Sequence, residues 1–385
     1  MYSAGFFLER TNNKMDGLIQ FLRQHGSTLT IIALGITVIG LTVIYGWAAF
    51  RGNPETVKML ANTTFGTYSK VTALAPLGCP TNDNTKLCDY YIASSAYSVF
   101  PGSVTRDYIS DNVLTLAIKA GARLVELDIY AGDNDKPVVG LKNETLGYDY
   151  ALNSVDFESC CISVANSAFN KVDTPLSSDP FVLSLVFHTD KRTVMDATAQ
   201  ILKDTCQRYM LGPEFAYNRK NLAQEPICNV AGKLIIVSGG NIKGTLIEEL
   251  VNLSWSTSNL RRLTYMQASQ PYDHDELINA NRTNICMVVP DTVPDLKNNN
   301  PTILFSYGCQ WNMMHYGSLD SMMELYVGQF QQGSVILKPI ELRYKPVEAK
   351  TPVLPDPATH SFQPMAHTSP IYDSNPVTGD KSIVI

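Results

Sequence analysis

Charge is scarce in this chain. Of its 385 residues only 17% are Asp, Glu, Lys or Arg, against roughly 25% in ordinary soluble domains. The formal net charge is −6. A nucleic acid would need a basic surface to meet its phosphates, so no nucleic-acid partner is expected. Eight cysteines over this length are too few for a disulfide scaffold. No GxSxG, HExxH, P-loop or paired CxxC pattern occurs, which leaves the common nucleophile, zinc and phosphate motifs unrepresented. With 45% hydrophobic residues the chain is not disordered, and its length allows one large domain or two medium ones.

Part of the shortage lies between Arg23 and Arg51, where no charged residue occurs. The apolar run Leu29 to Phe50 rises about 1.5 Å per residue and so spans a hydrocarbon core of roughly 30 Å. Tyr45 and Trp47 stand at its end, where an interfacial aromatic belt would lie. We expect a single transmembrane helix over 29–50, with the lipid bilayer as its partner. Arg10, Lys14 and Arg23 precede it and Arg51, Lys58 and Lys70 follow, so the positive-inside rule is tied. Cysteine usage favours the large C-terminal part lying outside the cytosol: Cys79 and Cys88 flank a short polar loop as a candidate disulfide, and Cys160 and Cys161 are adjacent. Asn62, Asn143, Asn252 and Asn281 head N-x-S/T sequons, which become candidate glycan acceptors if that side is lumenal. A cellular and a virion membrane are not distinguished.

Residues 1–28 read as a short N-terminal segment, with an amphipathic helix over Met15–Gln24, and 51–87 as a linker or extension. From 88 to 345 the patterning alternates. Asp111 to Ala120 is predicted helical with Asp111 as N-cap. Arg123–Tyr130, Pro180–Phe187 and Lys233–Ser238 read as strands, the second apolar enough to be buried on both faces, and Thr193–Met210 as a helix. This alternation predicts an α/β fold with a parallel sheet and, at this length, a (β/α)8 TIM barrel. Beyond Tyr344, residues 346–385 carry seven prolines and are expected to be extended or disordered, or to fold along a partner.

Two segments carry a family resemblance. Leu114–Val139 (LTLAIKAGARLVELDIYAGDNDKPVV), Phe181–Asp190 and Ala231–Val237 resemble the X box of phosphoinositide-specific phospholipase C. Residues Asn300 to Arg343 resemble that family's Y box, with Gly308-Cys309-Gln310, Tyr326-x-Gly328-x-Phe330 and Leu337-Lys338-Pro339-x-x-Leu342-Arg343 in order. The resemblance implies a distorted TIM barrel of the PLC-like phosphodiesterase type, with an X-like half over 88–240 and a Y-like half over 245–345. Residues 241–299 match poorly.

The family's chemistry is attack of the inositol 2-hydroxyl on phosphorus, served by two histidines and a calcium ion. Carried over residue by residue, the first histidine falls on Ala96 and the second on Leu141, and neither side chain moves a proton. The calcium-ligand asparagine falls on Tyr97, and the glutamate of the Leu-Ser-Leu-Glu motif on Val186. Two metal ligands survive as Glu126 and Asp128, which at i and i+2 of a strand share one face. The phosphate-binding lysines fall on Val237 and Gly239, and the inositol-binding Arg and Tyr on Met287 and Val289. Calcium takes six to eight oxygens, so Glu126 and Asp128 are at most a vestigial or weak metal site. They must be hydrated, paired with donors or bound to a cation. Asp273-His274-Asp275 reads as a solvated loop. The expectation is a membrane-anchored pseudoenzyme with no cofactor and with protein partners in an assembly. The alternatives are a divergent calcium-dependent phosphodiesterase using Glu126, Asp128 and another histidine, and a phospholipid-headgroup binder without turnover.

Overall fold

The computed structural model describes residues 3–68, 74–79, 84–102, 106–143, 147–172, 174–291, 296–346, 372–374 and 381–383, with side chains between 23 and 346 except at 148. The N-terminal segment and apolar run are continuous in one helix, α1 (Ser3–Arg51), so no separate Met15–Gln24 element exists. From Arg23 to Arg51 it is long and apolar enough to cross a membrane, and none of that apolar stretch is buried. Gly52 ends it beneath the Tyr108 ring, where a Cβ would lie 2.9 Å from the ring. Pro54 then opens α2 (Pro54–Phe65) with Asn53 as N-cap, its side chain accepting from the Glu55 N–H at 2.9 Å. The supposed linker is therefore partly structured. Val57, Ala61 and Phe65 recur every four residues and form the buried stripe of α2. Arg51 forms an ion pair with buried Asp107, tying the end of α1 to the domain.

Eight parallel strands follow in chain order: β1 (Ser94–Ala96), β2 (Leu124–Ala131), β3 (Phe181–Phe187), β4 (Leu234–Ser238), β5 (Leu253–Ser254), β6 (Leu260–Thr264), β7 (Ile285–Val289) and β8 (Trp311–His315). Their lateral order is β5-β4-β3-β2-β1-β8-β7-β6. This is a nearly closed barrel, and among the described residues no ladder joins β5 to β6. The connections carry α3 (Asp111–Lys119), α4 (Phe157–Phe169), α5 (Arg192–Cys206), α6 (Tyr265–Ser269), α7 (His274–Thr283), α8 (Thr302–Ser306) and α9 (Ser321–Gln329). The N-cap of α3 is Ser110 rather than Asp111: Ser110 Oγ accepts the Asn112 N–H at 3.2 Å, which leaves Asp111 to favour the helix dipole from the first turn. Asp273 caps α7, so Asp273-His274-Asp275 begins a helix.

Alternation along the strands divides the apolar residues between two clusters. Leu124, Val182, Ile235, Leu253, Leu260, Ile285 and Trp311 fill the barrel interior. Val125, Leu127, Leu183 and Ile236 face the other way, clustering with side chains of α3, α4 and α5. Arg123, fully buried at the start of β2, donates to the carbonyls of Ala122, Ala168, Leu176 and Ile118.

The expected Cys79–Cys88 disulfide is corrected: Cys79 is bonded to Cys228. Residues 85–87 pair with 225–227 through the Leu87 N–H to Glu225 O and Ile227 N–H to Thr85 O bonds. This brings together two cysteines 149 residues apart. Cys88 is instead buried, its thiol donating to Arg282 O at 3.3 Å. Lys345–Ile385 is a second compact unit. Most of the proline-rich tail lies outside the described residues, but within it Tyr372–Ser374 pairs antiparallel with Lys381–Ile383.

Candidate functional site

The C-terminal ends of the strands bring the positions singled out above into two layers. In the deeper one Glu126 on β2 lies opposite Ser184 on β3, Ser184 opposite Val237 on β4, and Arg262 on β6 opposite Met287 on β7. In the outer one Asp128 lies opposite Val186, and Thr264 opposite Val289. Ala96, at the end of β1, lies opposite His315. Leu141 follows the strand Pro137–Gly140, which pairs with β2, and packs in the outer apolar cluster. Ala96, Leu141, Val237 and Met287 are all buried.

Glu126 and Asp128 do share the inward face, and both are taken up by protein donors. Arg262 Nη2 donates to Glu126 Oε1 at 2.9 Å and Ser184 Oγ donates to Oε2 at 2.9 Å. His188 Nε2 lies 2.7 Å from Asp128 Oδ1, with its ring stacked on Tyr130 at 4.6 Å. Arg262 also lies over the Trp255 ring, 5.2 Å from its centroid. Burial alone would lower the pKa of Arg262, but the charge and hydrogen bond of Glu126 outweigh it and hold the guanidinium above its ordinary value. Burial, with the charges of Tyr150, Asp128 and Glu126 added, pushes the Tyr97 phenol up. His315 is buried and its Nε2 faces Gly102 O at 2.8 Å. Burial lowers its pKa to about 4, so it is neutral at physiological pH.

These residues do not fit a calcium ion. The ion needs six to eight oxygens. Here a guanidinium already contacts one carboxylate and an imidazole the other, while Val186 and Tyr97 stand where further ligands would be. Among the described residues no group of three or more His, Cys, Asp or Glu is disposed to hold a metal. Tyr97 has φ +49°, a left-handed conformation that a bulky residue seldom adopts.

The sequence reading missed Arg262 and Trp255, and it gave His188 no partner. The alternation Leu260, Arg262, Thr264 would have put Arg262 inside once 260–264 was read as a strand. Trp255 bears on Gly239, one of the lysine positions, because a Cβ there would fall within its indole. Gly239→Lys is expected to expel the indole, destabilising the protein by about 1–3 kcal/mol and shifting Trp255 emission to the red. An emission difference against Trp255→Phe that matches wild type would contradict this packing.

Comparison with known proteins agrees with this geometry. Residues 84–238 match the family model "Phosphatidylinositol-specific phospholipase C, X domain". The crystal structure of S. officinalis PLC21 superposes with a TM-score of 0.59 at 19% identity, over 68% of this chain and 38% of that one. That of L. pealei PLC21 gives the same figures. The chain thus spans well under half the length of these proteins, and the likeness to them is one of fold. No curated protein sequence matches. Over residues 84–238 the chain is thus similar to the X domain of phosphatidylinositol-specific phospholipase C, and its barrel is of the same kind.

Proposed function

We propose that this protein is a membrane-anchored phospholipase-C-like barrel without phosphodiester turnover, serving a structural or interaction role. The observation that carries the reading is the Arg262–Glu126 ion pair at 2.9 Å: a fixed guanidinium balances the carboxylate that a metal would otherwise need. No histidine stands at Ala96 or Leu141 to move a proton, and neither Val237 nor Gly239 offers a cation to phosphate. The anchor reading is supported by α1, whose Ile31, Leu34, Ile36, Ile39, Leu41 and Val43 are all exposed and so need a lipid environment. The Cys79–Cys228 disulfide supports placing the barrel on the non-cytosolic side. Protein partners would meet the barrel loops or the proline-rich tail.

One observation favours the enzymatic alternative. His188 held by Asp128 at 2.7 Å is an imidazole–carboxylate pair of the kind that serves as a general base. Purified full-length protein in phosphatidylinositol vesicles, with and without calcium, decides between them. No inositol phosphate above a protein-free control is expected. Product that disappears in His188→Ala or Glu126→Ala would establish turnover and end the pseudoenzyme reading. Flotation with vesicles differing only in headgroup tests the third reading, and headgroup-selective binding by the barrel would support it over the first.

A further inference from the structure

We infer that Asn62 carries an N-linked oligosaccharide. This rests on the proposed non-cytosolic placement of the barrel. Of the four sequon asparagines, three are built into the fold. Asn143 is 2% exposed and its Nδ2 donates to Tyr150 Oη at 2.7 Å. Asn252 is 4% exposed, accepts the Ile236 N–H at 2.9 Å and donates to Phe215 O at 3.4 Å. Asn281 is 2% exposed, and its Nδ2 donates to Tyr307 O at 2.9 Å. A sugar on any of these Nδ2 atoms would break those bonds and could not be enclosed in a close-packed interior. Only chains bare at these three positions can reach this fold.

Asn62 has no such conflict. It lies on the exposed side of α2 with Glu55, Lys58, Met59 and Thr63, away from the buried Val57, Ala61 and Phe65. The acceptor threonine, Thr64, follows at the required spacing. A helix of 12 residues is marginal in isolation. Before it docks on the barrel the segment is therefore open to a transferase acting on extended chain. The co-reactant is an oligosaccharide linked to a lipid pyrophosphate. Asn62 Nδ2 attacks the anomeric C1, the C1–O bond breaks, the lipid pyrophosphate leaves, and the amide gives up one proton as the N–C1 bond forms.

The test expresses the full chain in secretory cells and reads the mobility shift that a peptide:N-glycosidase removes. One glycan is expected on the wild type and none on Asn62→Gln. Ala366→Asn, which creates an acceptor sequon upstream of Thr368 in the tail, serves as an orientation reporter and should carry two. A shift that survives in Asn62→Gln would overturn the assignment. So would a wild type without glycan alongside a modified Ala366→Asn chain, and that pair of results would leave the orientation standing. Absence of glycan from both chains would reject the orientation, and the assignment with it.

Discussion

Arg262→Ala is expected to destabilise the barrel by about 2–4 kcal/mol, because it takes the cation from a buried carboxylate while Arg262 itself is only half-buried. Glu126 is only 9% exposed. Without Arg262 it would keep a single side-chain donor, Ser184, and its charge would have no counterpart in the layer formed with Val237 and Met287. The destabilisation should appear as a lowered midpoint in urea with an unchanged slope. Glu126→Gln should cost less, because the amide keeps the shape and still accepts from Ser184 Oγ, while Arg262 retains partial access to water. The double variant should recover much of the loss, giving a coupling energy of about 1–3 kcal/mol between two residues far apart in sequence. Additive effects would mean that the pair does not organise the barrel mouth.

The second large effect is expected at Arg123. Its guanidinium is fully buried and donates to Ala168 O at 3.1 Å, in the last turn of α4, and to Ile118 O at 3.5 Å, near the end of α3. It also donates to Leu176 O at 3.2 Å and Ala122 O at 3.1 Å. One cation thus reaches carbonyls at two helix C-termini, where Ile118 O also accepts the Gly121 N–H, and meets the negative ends of both dipoles. It also lies over the Phe181 ring, 5.4 Å from its centroid. Burial lowers its pKa to about 10, with nearby Asp179 working against that fall. Arg123→Met removes the side-chain donor from Ala168 O and Ala122 O and the charge facing buried Asp179, and is expected to cost about 3–5 kcal/mol or to prevent folding. Arg123→Lys should recover part of the loss, since an ammonium cannot reach four carbonyls in the guanidinium's planar fork.

Asp179 gives the same region a pH signature. Burial raises its pKa from 3.8 to about 6, against the Leu77 N–H bond and the charge of Arg123, which lower it. A folded-state pKa above the unfolded value means that the native state holds the proton more tightly. That contribution to stability is complete below about pH 3.8 and is lost as pH rises through about 6. Asp179→Asn keeps an oxygen for the Leu77 N–H, which Asp179 Oδ1 accepts at 2.7 Å. It should therefore stabilise the protein above pH 6 by about 2–3 kcal/mol and have little effect near pH 4. Denaturation curves at the two pH values check the difference. Equal effects at both would show that Asp179 is ionised in the fold throughout.

The barrel was largely legible because its signals are local. Continuous apolar runs at β3 and β4, alternation at β2 and helical periodicity between them are set by near neighbours. Ala96, Val186 and Val237 lie in strands that carry the motifs, and Leu141 and Gly239 directly follow such strands, which is what let the resemblance assign them. The pairing of Arg262 with Glu126 was not legible. Arg262 is 136 residues from Glu126, and nothing in LRRLT names its partner. The Cys79–Cys228 bond joins residues 149 apart, and proximity in sequence pointed to Cys88 instead. Helix α2 was legible in its Val57, Ala61, Phe65 stripe but was read as linker because it adjoins the apolar run. The low charge reads differently in the structure. In the barrel mouth, Glu126 is met by the Arg262 guanidinium and Asp128 by the His188 imidazole, both from the chain itself.

We propose that Arg262 and His188 take up both carboxylates, Glu126 and Asp128, and so leave no site for a metal. Calorimetric titration of the detergent-solubilised full chain with calcium tests it most directly. The account predicts heats indistinguishable from those of Glu126→Ala up to millimolar calcium. Saturable binding of one calcium per chain, lost in Glu126→Ala and in Asp128→Ala, would contradict it.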